Sequence, residues 1–185
     1  MIKYHIHGYA NIRNKTILLK GDPMKIGIIS DTHIKNDNGN IKEILNTYFK
    51  DVDMIIHAGD YIDETVVNAL MSHKKFFGVS GNVDNPKVNE LLNERELITL
   101  EGYRIGIFHG HGKGGTTLTR AYNSFKDDQV DIIIFGHSHQ PLINTMNKIL
   151  MLNPGSLRNK RKERWFSYII LELQPSRIKV NIEFI

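Results

Sequence analysis

The chain has no cysteine among its 185 residues. That excludes disulfides, thiolate nucleophiles and sulfur-ligated metals, and it fits a reducing, cytoplasmic setting. No apolar run approaches the roughly 18 residues that a membrane-spanning helix needs, so no membrane partner is expected. The N-terminus has no apolar segment with a cleavage site, so no secretory signal is read there. No internal repeat or low-complexity segment stands out.

What remains has the make-up of one folded domain. Apolar residues make up 41% and charged residues 24%, ordinary values for a globular protein, and the length suits a single domain with a sizeable core. The net charge of +4 mildly favours anionic partners but is no strong sign of nucleic acid. Nine histidines are many for this length, and their placement carries the information.

Short apolar segments recur and stop abruptly at polar residues. "KIGIIS" stops at Asp31, "VDMIIHAG" at Asp60, "KKFFGVSG" at Asn82, "YRIGIF" at His109 and "DIIIFG" at His137. Each is short, rich in β-branched or aromatic residues, and reads as a buried strand. Between them, Ile41 to Phe49 sets Ile41, Ile44, Leu45 and Tyr48 on one stripe, which predicts a helix. Helices are also predicted over Thr65 to Met71 and Thr116 to Lys126. This alternation implies an α/β sheet with covered faces. The final third, "KILMLN", "RWFSYIILEL" and "RIKVNIEFI", has strand composition without helices and predicts antiparallel strands.

Residues 1–23 precede "MKIGIISDTH" as an extension, and Met24 is itself a natural start for a single domain over residues 24–185. Lys20-Gly21-Asp22 can be encoded as a ribosome-binding site just upstream. Translation is therefore expected to begin at Met24. If residues 1–23 are present, "KYHIHGYA" and "TILLK" predict edge strands. His5 and His7 repeat an H-x-H spacing there without other ligand motifs around them.

In α/β sheets, ligands bind beyond the carboxyl ends of strands. The five stops place Asp31, His33, Asp60, Asn82, His109, His137 and His139 at such ends. Glycines stand beside most of them and let the chain turn where a side chain must enter a site. Carboxylate, amide oxygen and imidazole suit Mn, Fe, Ni, Co or Zn. Seven donors are too many for one tetrahedral site, but they suffice for two ions if one carboxylate is shared. Two ions about 3.5–4 Å apart can hold a hydroxide and clamp the attacking and leaving oxygens of a phosphate ester. On strand alternation alone, His137 and His139 read either as core histidines of one strand or as a ligand pair at its end.

Asp31-Thr32-His33, Gly59-Asp60, Gly81-Asn82, His109-Gly110-His111 and Gly136 to His139, in this order, resemble the calcineurin-like metallophosphoesterases. The short length and "NPGS" at Asn153 to Ser156 are similar to the small prokaryotic YfcE-type phosphodiesterases. The resemblance implies a four-layer α/β/β/α sandwich of two mixed sheets. It implies two divalent transition-metal ions, foremost Mn2+, with Ni2+, Fe2+, Co2+ or Zn2+ as alternatives. One ion would take Asp31, His33, Asp60 and His139. The other would take Asp60, Asn82, His109 and His137, with Asp60 bridging. It implies hydrolysis of a small phosphate ester, most of all a phosphodiester, by in-line attack of a metal-bridging hydroxide, with Asp60, Asn82 and His111 in the chemistry. Many superfamily members carry a histidine directly after the metal-binding asparagine to aid the leaving group; here that position is Val83. Activated diesters should therefore turn over better than alkyl esters. Rivals on the same fold are a phosphomonoesterase, a nuclease, or a binding scaffold resembling the retromer subunit. A homo-oligomer remains open.

Each site has a plainer reading. Asp31 and Asp60 could cap helices and His33 could be a surface residue. Asn82 could be a turn residue, and His109 a satisfied core histidine. His111 could touch phosphate, donate a proton or hold His109. His57, inside a strand, reads as structural, and Asp84 either orients a ligand or belongs to a loop. "RNKRKERW" reads as a solvated basic loop or a steering patch for anions. "GKGGTT" lacks the spacing of a P-loop, although its backbone amides could meet a phosphate at the following helix. The start-site expectation is checked by intact mass spectrometry of the natively expressed protein. A mass that begins at Met24 supports it, and one that includes residues 1–23 refutes it.

Overall fold

The short apolar segments become the inner strands of two sheets. The computed structural model describes residues 10–12, 15–17 and 21–185. β1 (Ala10–Ile12) and β2 (Lys15–Ile17) form an antiparallel pair of their own. β3 (Met24–Ile29), β4 (Met54–His57) and β5 (Lys75–Gly78) run parallel. β11 (Ser167–Gln174) and β12 (Arg177–Phe184) add antiparallel beyond β3, giving the order β12-β11-β3-β4-β5. β6 (Arg95–Leu100), β7 (Tyr103–Phe108), β8 (Ile132–Ile134), β9 (Leu142–Met146) and β10 (Ile149–Asn153) make the other sheet, in the order β6-β7-β8-β10-β9.

Side-chain alternation then sets the layers. Ile26, Ile28, Met54, Ile56, Ile169 and Leu171 of the first sheet meet Ile105, Ile107, Ile132, Ile134 and Leu152 of the second in one buried core. The opposite face of the first sheet, with Ile29 and Ile55, is covered by α1 (Asn40–Tyr48), α2 (Glu64–His73) and α3 (Pro86–Leu91). The opposite face of the second, with Ile133 and Met151, is covered by α4 (Thr117–Ser124). The result is the α/β/β/α sandwich of two mixed sheets that the resemblance implied, each sheet here having five strands. Each such side chain contributes about 1.5–3 kcal/mol when fully buried, so strands buried on both faces anchor the fold.

A repeat emerges in space. β3-α1-β4 and β7-α4-β8 are the same unit built twice. Lys25-Ile26-Gly27-Ile28 matches Arg104-Ile105-Gly106-Ile107, and Val52-Asp53 matches Val130-Asp131. The carboxylate of Asp53 accepts from the N–H of Lys25 at 2.7 Å, and that of Asp131 from Arg104 at 2.8 Å. In return, the N–H groups of Asp53 and Asp131 each donate to the carbonyl of the same partner at 2.8 Å. Each helix ends in a buried phenylalanine, Phe49 or Phe125, lying over the strand glycine. The intervening sequences differ in length and type, which hides the match.

The predicted helices are all present, with ends displaced by one or two residues. Three elements were not foreseen. β6 and β9 are the two edges of their sheet, and their half-exposed residues lack the continuous apolar run of a central strand. α3 has six residues, too few to show a period. Of the final strands, β10 departs from the antiparallel expectation. It pairs antiparallel with β9 but parallel with β8, extending the parallel core of that sheet. Thr16 and Ile17 of the "TILLK" segment lie in β2, which pairs with β1 rather than with a sheet edge. Most of "KYHIHGYA", including His5 and His7, lies outside the described residues.

A Cβ at Gly27 would come within 2.5 Å of the Phe49 ring and 2.8 Å of Ile55. Gly27→Ala should therefore destabilise the protein by about 1–3 kcal/mol through overpacking. Phe49→Leu should absorb much of that penalty, making the double variant less than additive. Urea unfolding of the four proteins checks this, and strict additivity would contradict the close-approach explanation.

Candidate metal centre

The carboxyl ends of β3, β4, β5, β7 and β8 converge at one end of the sandwich. The first sheet sends Asp31 and His33 after β3, Asp60 after β4, and Asn82 after β5. The second sheet sends His109 after β7, and His137 and His139 after β8. The site therefore straddles the seam between sheets. Asp31, Asp60, His109 and His139 are buried, and Asn82 stands exposed in the turn after Gly81.

The local backbone is unusual. Asp31, His33, Asp60, His137 and His139 all have positive φ, between 49° and 66°. An L-residue in this conformation costs about 1–2 kcal/mol, and such strain gathers where surroundings over-determine it. Those surroundings can be named. Asp84 accepts from the N–H groups of Asp60 at 3.2 Å, Ile62 at 2.7 Å and Gly81 at 2.7 Å. It thus ties the Asp60 and Asn82 turns together. A Cβ at Gly81 would fall 2.1 Å from Asp60 Oδ1, so only glycine lets these turns meet. Gly136 stands equally close to the Ser30 hydroxyl, at 1.9 Å from such a Cβ, below Asp31.

Hydrogen bonds decide which donor atoms remain free. Asp31 Oδ2 accepts from the Ser30 hydroxyl at 2.6 Å and the His137 N–H at 3.0 Å. Asp60 Oδ1 accepts from the Val83 N–H at 3.2 Å. His109 Nδ1 donates to the Ala58 carbonyl at 2.6 Å, and His139 Nδ1 donates to the Asn159 carbonyl. In the neutral imidazole, Nε2 is then an acceptor on both rings. Yet His109 Nε2 lies 3.1 Å from Asp60 Oδ2, and His139 Nε2 lies 3.1 Å from Asp31 Oδ1. His33 Nε2 adds itself 3.2 Å from His139 Nε2. Acceptors face acceptors in a buried place, so a proton or a metal ion must stand between them. Asp31 Oδ1, Asp60 Oδ2 and His109 Nε2 indeed have no hydrogen-bond partner among the described residues.

The donors fall into two groups, Asp31 with His33 and His139, and Asp60 with His109 and His137. In each group the ligand atoms lie within 4.8 Å of one another. Asp60 Oδ2 borders both, 3.1 Å from His109 Nε2 and 3.8 Å from His33 Nε2. Oxygen and imidazole donors without sulfur fit divalent Mn, Fe, Co, Ni or Zn. The chain itself holds the donors in the binding form. Burial alone would push the Asp31 and Asp60 carboxyls up, but His139 and His109 hold them below the usual range, Asp60 at about 2. Burial pushes His33 down, and it pushes His137 down to about 4 with help from His109. His109 differs: Asp60 and Asp31 outweigh its burial and raise it. A metal must displace that proton, so affinity falls as pH drops.

The plainer readings can now be weighed. α2 is capped by Asp63, and the first turn of α1 by Asp37 Oδ1, so neither Asp60 nor Asp31 caps a helix. Asn82 does occupy a turn. His57 is structural: its Nδ1 accepts from the Gly59 N–H at 3.1 Å and its Nε2 meets the Thr32 hydroxyl at 3.0 Å. His111 sits at the rim, with Nε2 3.0 Å from Glu94, Nδ1 without a partner among the described residues, and its ring centroid 5.7 Å from His109. In "GKGGTT", a capping box occupies the N–H groups of Thr116 and Thr119, and Arg120 bonds the carbonyls of Gly110, Gly114 and Gly115. The loop's shape is therefore held from within, through its carbonyls and two amides. Residue patterns gave no role to Ser30, Asn159 or Glu94. Nothing local marks them, because their partners lie far off in sequence or only gain meaning from the site.

Comparison with known proteins gives this geometry a context. The pattern of the calcineurin-like phosphoesterase superfamily domain matches residues 24–176. A probable metallophosphoesterase of Methanocaldococcus jannaschii is 34% identical over 144 residues, 76% of this chain and 72% of that one. A phosphodiesterase of the same organism is 28% identical over 145 residues, 71% of this chain and 83% of that one. Among solved structures, a predicted phosphoesterase from Streptococcus pneumoniae superposes with a TM-score of 0.71 at 25% identity, covering 89% of this chain and 91% of that one. Vps29 of Entamoeba histolytica complexed with Zn2+ shares the fold, with a TM-score of 0.66 at 22% identity over 88% of this chain and 98% of that one.

Asp84→Ala should release the turns that aim Asp60 and Asn82 and weaken divalent-metal binding by about 10–100-fold. Asp84→Asn, keeping an acceptor oxygen, should fall between. Competition with a metal-sensitive dye reads the affinities. An Asp84→Ala protein that stays folded and binds metal as tightly as the parent would remove Asp84 from this role.

Proposed function

The chain belongs to the calcineurin-like phosphoesterase superfamily, and on that premise we propose that it is a two-metal phosphodiesterase. The observation that carries this reading is the pair of confronted acceptors, Asp31 Oδ1 with His139 Nε2 and Asp60 Oδ2 with His109 Nε2, each at 3.1 Å. Two adjoining places for cations, with Asp60 Oδ2 between them, suit a binuclear centre better than a single ion. In this reading Asp31, His33, Asp60 and His139 hold one ion; Asp60, Asn82, His109 and His137 hold the other. Mn2+ is the proposed ion in both places. Bound divalent ions would supply an activated water for in-line attack and offset charge on phosphorus.

The chain's own residues do the remaining work. Asp60 and Asn82 shape the face on which the ester sits. His111, neutral because burial and His109 lower its pKa against the pull of Glu94, carries its proton on the Nε2 that lies 3.0 Å from Glu94, and from Nε2 it can donate to a phosphate oxygen in place of Glu94. A cleft of about 510 Å3 beside it, lined by Phe108, His111, Lys113 and Arg120 among others, has room for an ester arm. Val83 follows Asn82 and is 44% exposed, so no imidazole protonates the leaving group from there. This favours esters with good leaving groups. The proposed setting is the cytoplasm, in keeping with the lack of cysteine. The second reading, a binding scaffold, draws on the likeness to Vps29. The full set of competent donors argues against it.

A hydrolysis screen crosses nitrophenyl monoesters, nitrophenyl diesters and alkyl diesters with Mn, Ni, Co, Fe, Zn and Mg. The expected result is metal-dependent turnover, faster on nitrophenyl diesters than on alkyl diesters or monoesters, and loss of at least 100-fold (roughly, from a shared metal ligand) in Asp60→Ala. Inactivity with every metal would favour the scaffold, and faster turnover of monoesters would make the protein a phosphomonoesterase.

A further inference from the structure

The basic loop after β10 is tied to the metal centre at three points. The Ser156 hydroxyl donates to the Asp31 carbonyl at 2.7 Å and accepts from the Asn159 N–H at 2.9 Å. The Asn159 carbonyl accepts from His139 Nδ1. The Arg161 guanidinium donates to the His137 carbonyl at 3.2 Å. This loop is therefore a wall of the site, not a solvated appendage. Its direction is set by ligand residues of both donor groups.

Arg161 stands out within that wall. The N–H of Glu163 bonds the carbonyl of Lys160 at 2.8 Å, closing a turn with Arg161 and Lys162 at its centre. Arg161 has φ 49°, a conformation that favours glycine at such a position. A long cation is thus kept where a glycine would cost less. The guanidinium touches the His137 carbonyl of one donor group, while its loop is bonded to His139 and Asp31 of the other. It consequently stands at the mouth of the site. The lysine and arginine ion pairs among the described residues join Lys87 to Glu64, Arg95 to Asp128 and Lys179 to Glu172. Arg161 has no carboxylate partner among them, and one bond to a carbonyl leaves most of its five N–H donors unused.

A cation at the mouth of a site that collects divalent ions is repelled by its contents. An anion lying between them removes that repulsion. The carboxylates of Asp31 and Asp60 and the scissile phosphate already offset much of the charge of two such ions, so the anion suited to Arg161 is a further one. We propose that Arg161 is a substrate-binding residue that grips a second anionic group, carried by the substrate next to the scissile phosphodiester. The preferred substrates are then oligonucleotide-like or otherwise doubly charged esters rather than isolated diesters. Arg158, Lys160, Lys162 and Arg164 extend the same positive field outward from the site, while Arg161 supplies the directed, two-pronged contact. This inference rests on the phosphodiesterase reading for turnover but not for binding.

A matched pair of probes tests it: the p-nitrophenyl ester of thymidine 5′-phosphate, with and without a 3′-phosphate. The parent protein should favour the 3′-phosphorylated ester by about tenfold in kcat/KM, mostly through KM. Arg161→Ala should erase the preference, Arg161→Lys should keep part of it, and Lys162→Ala should keep it nearly whole. Metal stoichiometry should be unchanged in all three. Calorimetry on the metal-loaded protein reads the same contact without turnover: thymidine 3′,5′-bisphosphate should bind about tenfold tighter than thymidine 5′-phosphate, and only the Arg161 variants should lose the difference. No preference in the parent, or a preference that survives in Arg161→Ala, overturns the proposal. Absent turnover with the binding difference intact would instead overturn the enzymatic reading and leave the anion site standing.

Discussion

The bond from His109 Nδ1 to the Ala58 carbonyl, 2.6 Å long, is the contact on which the site depends. It crosses from one sheet to the other at the seam where their strands end. It also occupies Nδ1, so that Nε2 is left to face Asp60 and can offer a metal its lone pair once the proton favoured by Asp60 and Asp31 is displaced. The same logic recurs at His139, whose Nδ1 is held by Asn159. Two backbone carbonyls thereby turn two histidines into acceptors. Each then confronts a buried carboxylate, and the pocket is left in need of cations.

That need has a structural cost, which the fold meets close by. Five of the proposed ligands take left-handed backbone conformations, each disfavoured for an L-residue. The three N–H bonds to Asp84, the Ser30 and His137 bonds to Asp31, and the clearance at Gly81 and Gly136 hold these turns in place. Strands buried on both faces supply the stability against which this strain is set. Arg161, itself left-handed, continues the pattern outward from the donors to the rim.

Much of this was legible in the order of residues, and what was missed had physical reasons. Central strands announced themselves because both faces are buried and the apolar run is unbroken. The edge strands β6 and β9, exposed on one side, blended into their polar flanks. The twofold β-α-β unit stayed hidden because its matching residues are few and spaced unequally, while its Phe49-over-Gly27 and Phe125-over-Gly106 contacts exist only in space. Asp84 could be read as an orienting residue or as part of a loop. Three hydrogen bonds to strand-end turns, two of them more than twenty residues away, place it at the junction of two ligand loops. "RNKRKERW" could not be told from a solvated loop, because the bonds that bring it to the site reach His137, His139 and, through Ser156, Asp31.

The sequence by itself determined the fold class, the order of the inner strands' motifs and the seven residues that could donate to metal. It did so because strand burial and chain reversal are local matters, written in apolar runs followed by glycine and a polar residue. Tertiary structure alone decided how six of those seven divide. His137 and His139 follow one strand two residues apart, yet they fall in different donor groups. Beyond Gly136 both have positive φ, so strand alternation no longer governs where they point. Their grouping depends on which carboxylate of the opposite sheet each meets, and only the packing of the two sheets fixes that.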